Sequence, residues 1–213
     1  MCVENHLTMM KATVKHYVKC VEVGQYMAMC YHPELTEPLC RACGNYGSCW
    51  TCPPFDYDVN ERLKRYEWVF VLGAQIVPDE ALRNSPGSAA ERDALAHRLI
   101  TEAWRQCTGP MMRRLEQQHD DSMLLCGFFA CEACSKHCAR IDGKPCLHPE
   151  LMRPSLEAYG FDVSKTTSEL LGLELKWGSG NALPEYTTLV TALFSHDAPT
   201  ADAMAPLEMM LTI

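Results

Sequence analysis

The sequence predicts an α/β or α+β protein, a mixed β-sheet with flanking helices and two cysteine-rich metal-binding loops at strand ends. Three observations carry this expectation. Apolar runs recur at WVFVLGAQIV, MLLCGFFAC and EYTTLVTALF, each roughly half the ~20 residues of a membrane helix and suited to buried strands. Between the first two, Leu95, Leu99, Ala103 and Cys107 recur every fourth residue beside Ile100 and Trp104, the stripe of an amphipathic helix. Finally, four cysteines fall in CRACGNYGSCWTCPPF (40–55) and four more in CEACSKHCARIDGKPCLHPE (131–150).

Taken in order, residues 14–32 mix β-branched and aromatic side chains and predict one or two strands around Gly24. The first cysteine group occupies a Pro/Gly-rich loop at 33–55. DVNERLKRY (58–66) predicts a short helix leading into a strand at 68–77, whose unbroken apolar run implies burial on both faces. Residues 78–88 form a loop with a helical turn at DEALR. The long helix starts at Ala89, is interrupted at Gly109-Pro110, where proline has no N–H to give, and resumes through MMRRLEQQH. A strand over 123–130 delivers the chain into the second cysteine group at 131–149. Beyond it, Arg153-Pro154-Ser155 begins a short helix ending at Gly160, and Ser164 caps another that runs to Gly172. LELKW alternates and pairs with EYTTLVTALF as two strands joined across GSGNALP. The whole reads as a single domain, 1–195, followed by a tail, 196–213, whose EMMLTI end is expected to dock on the core, with a partner as the alternative.

Charge narrows the function classes. The chain has 19 basic and 27 acidic side chains, a net −8, which repels a phosphate backbone and argues against nucleic acid. Its local basic runs (Arg62, Lys64, Arg65; Arg113, Arg114) have the helical spacing of solvated faces. MCVENHLTMMKATVKHYV lacks the apolar core of a signal peptide, so a cytoplasmic location and no membrane contact are expected. Thirteen cysteines, an odd number, in a chain of this size without an export signal point to metal rather than to disulfides.

The second group has the spacing Cys131-x2-Cys134-x3-Cys138-x7-Cys146. Three thiols within eight residues and a fourth one loop away suit a [4Fe–4S] cluster, whose four irons each take one thiolate. Zinc favours two facing pairs around one tetrahedral centre, so iron–sulfur is the better reading here. The first group, Cys40-x2-Cys43-x5-Cys49-x2-Cys52, contains two CxxC pairs, but only five residues separate them, against fifteen to twenty in a zinc ribbon. Cys52-Pro53 echoes the Cys-Pro that closes a ferredoxin run. The residues alone leave iron–sulfur and zinc equally open at this group.

Other candidates weigh less. Cys20, Cys30, Cys107 and Cys126 read as core residues, with Cys126, five residues before Cys131, the strongest exception; Cys2 has no assignment. His148 is a structural residue at a helix start before it is a ligand, and His137 points outward between two ligands. Glu132 and Glu150 read as surface carboxylates. No dinucleotide fingerprint, P-loop, nucleophile elbow, HExxH or C-x3-C-x2-C pattern is present.

Two longer patterns carry a resemblance. C-x2-C-x2-Y-G-x2-W-x-C-P-P is formed by Cys40, Cys43, Tyr46, Gly47, Trp50, Cys52, Pro53 and Pro54. C-x2-C-x3-C-x7-C-x-H-P-E-x-M-R-P-S runs from Cys131 through His148, Pro149, Met152 and Pro154 to Ser155. Together they resemble the signatures of the predicted metal-binding protein family with domain of unknown function 2284 (DUF2284), over most of the chain from about 14 to 194. The resemblance implies metal binding, and implies that position 49 accepts other residues. The first centre is then either a three-cysteine site with one open position, as in catalytic metal centres, or one that Cys49 saturates.

The leading expectation is an iron–sulfur protein with two [4Fe–4S] clusters, held by Cys131, Cys134, Cys138 and Cys146 and by Cys40, Cys43, Cys52 and Cys49, that exchanges electrons with a redox partner protein. The alternatives are an enzyme whose open-site cluster activates a small-molecule substrate, and a zinc-stabilised interaction module. Nothing in the sequence specifies an oligomeric state.

Overall fold

The strand over Trp68–Pro78 organises the fold. Its alternation sends Phe70, Leu72, Ala74 and Ile76 into one apolar cluster and Val69 and Val71 into another, so both faces are buried as predicted. The computed structural model describes residues 11–127, 131, 133–134 and 137–198. Cys2, Glu132, the 128–130 end of the predicted third strand and the tail from 199 lie outside the described residues. The strands are β1 (Ala12–Glu22), β2 (Trp68–Pro78), β3 (Met123–Leu125) and β4 (Thr187–Ser195), in the order β1-β2-β4-β3. Every pairing among them is antiparallel, from Ala12↔Pro78 at one end of β1–β2 to Met123↔Phe194 in β3–β4, which selects the α+β alternative.

The helices are α1 (Val23–Cys30), α2 (Pro33–Ala42), α3 (Val59–Leu63), α4 (Glu80–Arg83), α5 (Ala89–Ala103), α6 (Gly109–Gln118) and α7 (Val163–Lys165). On one face of the sheet, α5 and α6 bury Leu95, Leu99, Ala103, Met112 and Leu115 against β2 and β4. Ser88 caps α5 by accepting from Glu91 N at 3.2 Å, while Glu91 Oε2 accepts from Gly87 N at 2.8 Å. The expected break at Gly109-Pro110 is a π turn, Trp104–Thr108, through which the helix continues. Pro110 has no N–H, and Gly109 N bonds instead to Trp104 O, five residues back. A Cβ at Gly109 would stand 2.6 Å from that oxygen, so the slip requires glycine.

On the other face, Tyr26 of α1 stacks on Phe161 at 4.6 Å and its hydroxyl meets Thr166 Oγ1 at 3.0 Å. Residues 23–30 are therefore helix where a second strand was an option: Val23, Tyr26 and Cys30 share a helical face and are all buried. The predicted LELKW strand is absent. Both edges of β4 are already taken, by β2 and β3, so this stretch has no ladder to join. Leu171 and Leu173 press instead on Gly73, where a Cβ would come within 2.7 Å of Leu171 Cδ1. The helical turn at DEALR and the helix at 58–66 are present as α4 and α3, capped by Asp79 and Asp58. Asp162, rather than Ser164, caps α7. Among the described residues no helix is long and apolar enough to cross a membrane.

Candidate metal centre

The first cysteine group is not all loop, as expected, but starts on a helix. Pro33 at the first turn and Glu34 beside it favour a helical start, and α2 continues to Ala42. Cys40 thus sits in its last turn and Cys43 at its C-cap, with Cys43 N bonded to Cys40 O at 3.0 Å. The chain then doubles back: Gly47, at φ 69°, donates its N–H to Pro53 O at 2.8 Å, and Cys52 N bonds to Cys49 O at 3.1 Å. The result is a cleft of about 310 Å³ bordered by Cys40, Cys43 and Cys52, with Asn45, Ser155 and Glu157 also on its walls. The Cys40 thiol points at Glu157 O, 3.9 Å away.

Cys49 is not among the residues that line this cleft. It is buried, with its sulfur 3.0 Å from Thr51 Oγ1. The thiols of Cys131 and then Cys52 also donate to it, which pulls Cys49 far below the ordinary thiol range. Cys52 and Cys131 are correspondingly pushed up, first by donating to Cys49 and then by burial. Cys131 also feels Cys138, Cys52 feels Cys43, and Cys40 feels Cys43. Two groups that the sequence treats as separate centres meet at Cys49 and Cys131.

A second set of contacts holds the groups together. The turn Ala139–Asp142, closed by Gly143 at φ 66°, presents Arg140 to the first loop. Arg140 Nη1 donates to Cys49 O at 2.8 Å and Cys52 O at 2.6 Å, and Nη2 donates to Pro54 O. In return, Trp50 Nε1 donates to Lys144 O at 3.0 Å. At the other side of the second group, Cys126 N and Gly127 N both donate to Pro154 O at 3.0 Å, which sets the segment carrying Ser155 and Glu157 beside the end of β3. Arg153 is fixed there by Glu116 at 2.8 Å.

The remaining sequence candidates fall as follows. Cys134 and Cys146 are half-buried. Cys30, Cys107 and Cys126 are buried in the core and Cys20 is half-buried against it; burial pushes Cys126 up to about 12 and Cys20 up to about 11. His137 is exposed and 3.2 Å from Asp142, and His148 stands at the start of the turn Pro149–Leu151 with Glu150 at 3.8 Å. Leu39, Ile141, Leu147 and Leu151 are exposed on or beside the two groups. Sequence reasoning missed Arg140, Asn45 and Glu157, which have no spacing signal of their own and join the site only through the fold; Ser155 was visible only as the end of the second pattern.

The donor set suits a thiolate-bound inorganic group. Among the described residues no group of three or more His, Cys, Asp or Glu side chains is placed to hold a metal ion. The cleft, at about 310 Å³, is roughly ten times the ~30 Å³ share of one liquid water, which leaves room for a multi-atom group on Cys40, Cys43 and Cys52. A family model described as predicted metal-binding protein (DUF2284) matches residues 28–194. No curated protein and no solved structure matches the chain.

Proposed function

Because the chain belongs to the DUF2284 family of predicted metal-binding proteins, we propose that it is an iron–sulfur protein that passes electrons to or from a redox partner protein. Cys131, Cys134, Cys138 and Cys146 hold one [4Fe–4S] cluster, and Cys40, Cys43 and Cys52, with or without Cys49, hold the other. Such clusters supply one-electron chemistry at potentials set by charge, burial and hydrogen bonds to sulfur. The observation that carries this reading is that Arg140 and Trp50 bond the second cysteine group to the first, which makes the two thiol groups neighbours. Two centres so close serve as a relay, which a pair of remote structural metals does not.

The chain's own groups act on this relay in two ways. The Arg140 guanidinium, bonded to the carbonyls of Cys49 and Cys52, places a fixed positive charge beside the loop and favours the more reduced state. Leu39, Ile141, Leu147 and Leu151 offer apolar surface next to the thiols, where a redox partner would have to approach.

Anaerobic metal and sulfide analysis tests the proposal. About eight iron and eight sulfide per chain are expected for two clusters, with brown absorption around ~400 nm that bleaches with dithionite. Colourless protein carrying zinc under the same oxygen-free conditions overturns it.

A further inference from the structure

The four cysteines of the first group do not share one environment. Cys40, Cys43 and Cys52 border the cleft, whereas the Cys49 sulfur lies outside its lining, buried 3.0 Å from Thr51 Oγ1. Its carbonyl is held as well, by Arg140. Bringing the Cys49 thiol into the cleft means breaking these contacts and turning a buried residue outward. We infer that the first centre is held by Cys40, Cys43 and Cys52 alone, and that its fourth coordination position binds a small neutral or cationic molecule entering the cleft.

The walls define the ligand class. Asn45, Ser155 and Glu157 supply polar groups, and Ser155 donates to the Glu157 carboxylate. No lysine, arginine or histidine lines the cleft among the described residues. Three thiolates and a carboxylate repel a carboxylate or phosphate ligand. They favour a molecule that offers a lone pair to metal and an N–H, O–H or S–H to Glu157: an amine, an alcohol or a thiol. Leu39, Tyr46, Pro53 and Ala158 complete the cleft with apolar surface, which suits a short carbon skeleton on such a ligand.

This inference rests on the iron–sulfur reading, and its test separates the two. Full-length wild type, Cys49→Ala and Cys52→Ala are reconstituted anaerobically with iron and sulfide, and their iron content is measured. Each is then treated with ferricyanide, which strips the iron that lacks a thiolate and leaves a three-iron cluster visible by electron paramagnetic resonance. Wild type and Cys49→Ala should hold equal iron and give equal three-iron signals. Cys52→Ala should lose about half of the iron, one of two clusters, and the signal with it. Imidazole, but not citrate, should shift the Mössbauer parameters of one iron in ⁵⁷Fe-labelled wild type, and Glu157→Gln should weaken imidazole binding several-fold. Full iron in wild type with no three-iron signal, or with a cluster lost from Cys49→Ala, overturns this inference and leaves the iron–sulfur reading standing. A shift with citrate alone overturns the ligand class. Wild type without iron or sulfide overturns both. The wild-type measurement is decisive even where a variant does not fold.

Discussion

The guanidinium of Arg140 lies over the indole of Trp50, 4.9 Å from the ring centroid, and from there donates to the carbonyls on both sides of it, Cys49 O and Cys52 O. One half-buried side chain thus clasps the second cysteine group to the first. Cation–π and charged hydrogen-bond contacts of this kind together contribute about 2–3 kcal/mol. Arg140→Ala should release iron to a chelator many times faster than wild type while the far-ultraviolet circular dichroism is unchanged. Arg140→Lys should recover little, because an ammonium cannot span carbonyls that a planar guanidinium bridges. Equal release rates for all three proteins would show that the clasp does not hold the site.

Two glycines, Gly73 within β2 and Gly127 just past β3, should respond differently to alanine. At Gly127 a Cβ meets backbone, 2.7 Å from Arg153 O and 2.9 Å from Ser155 N. At Gly73 it meets the tip of Leu171, which can rotate. Gly127→Ala should cost about 1–3 kcal/mol and displace the segment carrying Ser155 and Glu157; Gly73→Ala should cost less. Denaturant midpoints compare the two, and a reversed order would contradict the close backbone approach at Gly127.

How far the sequence announced this arrangement depends on the range of the interaction. β2, α3, α4 and α5 follow from local signals: an apolar run, aspartate caps, a four-residue stripe. α2 was hidden because Pro33, Pro38 and the glycines after Ala42 read together as loop, although Pro33 occupies a helical first turn where its missing N–H costs nothing. LELKW alternates like a strand, and only the sheet order reveals that β4 has no edge left for it. All eight candidate ligands were visible as spacing. That Cys49 leans on Cys131 was not, since spacing describes each loop and is silent on how two loops meet.

His16 gives the fold an acid limit. It is buried on β1 with Nε2 3.1 Å from Thr108 Oγ1, and burial lowers its pKa to about 4 from an ordinary 6.5. Above pH 6.5 both folded and unfolded chains hold it neutral. As pH falls, the unfolded chain takes up the proton first, so stability declines between about 6.5 and 4, by at most ~3 kcal/mol from this group. His16→Gln should flatten the pH dependence of the unfolding free energy across that window. An unchanged slope would show that His16 does not carry it.

Cys126, close in sequence to the second group, belongs to the core. Cys126→Ala should leave iron and sulfide content unchanged and cost about 1 kcal/mol for the missing sulfur. In metal-free protein, iodoacetamide should label Cys126 well after the exposed Cys43, because burial pushes its thiol up to about 12 and keeps it protonated. Loss of iron in Cys126→Ala would make it a ligand.

β2 is laddered on both edges and packed on both faces, whereas the eight candidate ligand thiols lie along segments outside the sheet. Amide protons of Phe70 and Leu72 should therefore exchange with deuterium only through global opening, while those around Cys43 and Cys138 exchange through local fraying. On the proposed iron–sulfur reading, cofactor insertion is a late event on a finished scaffold, so a cell under oxidative stress rebuilds the centres without making the polypeptide again.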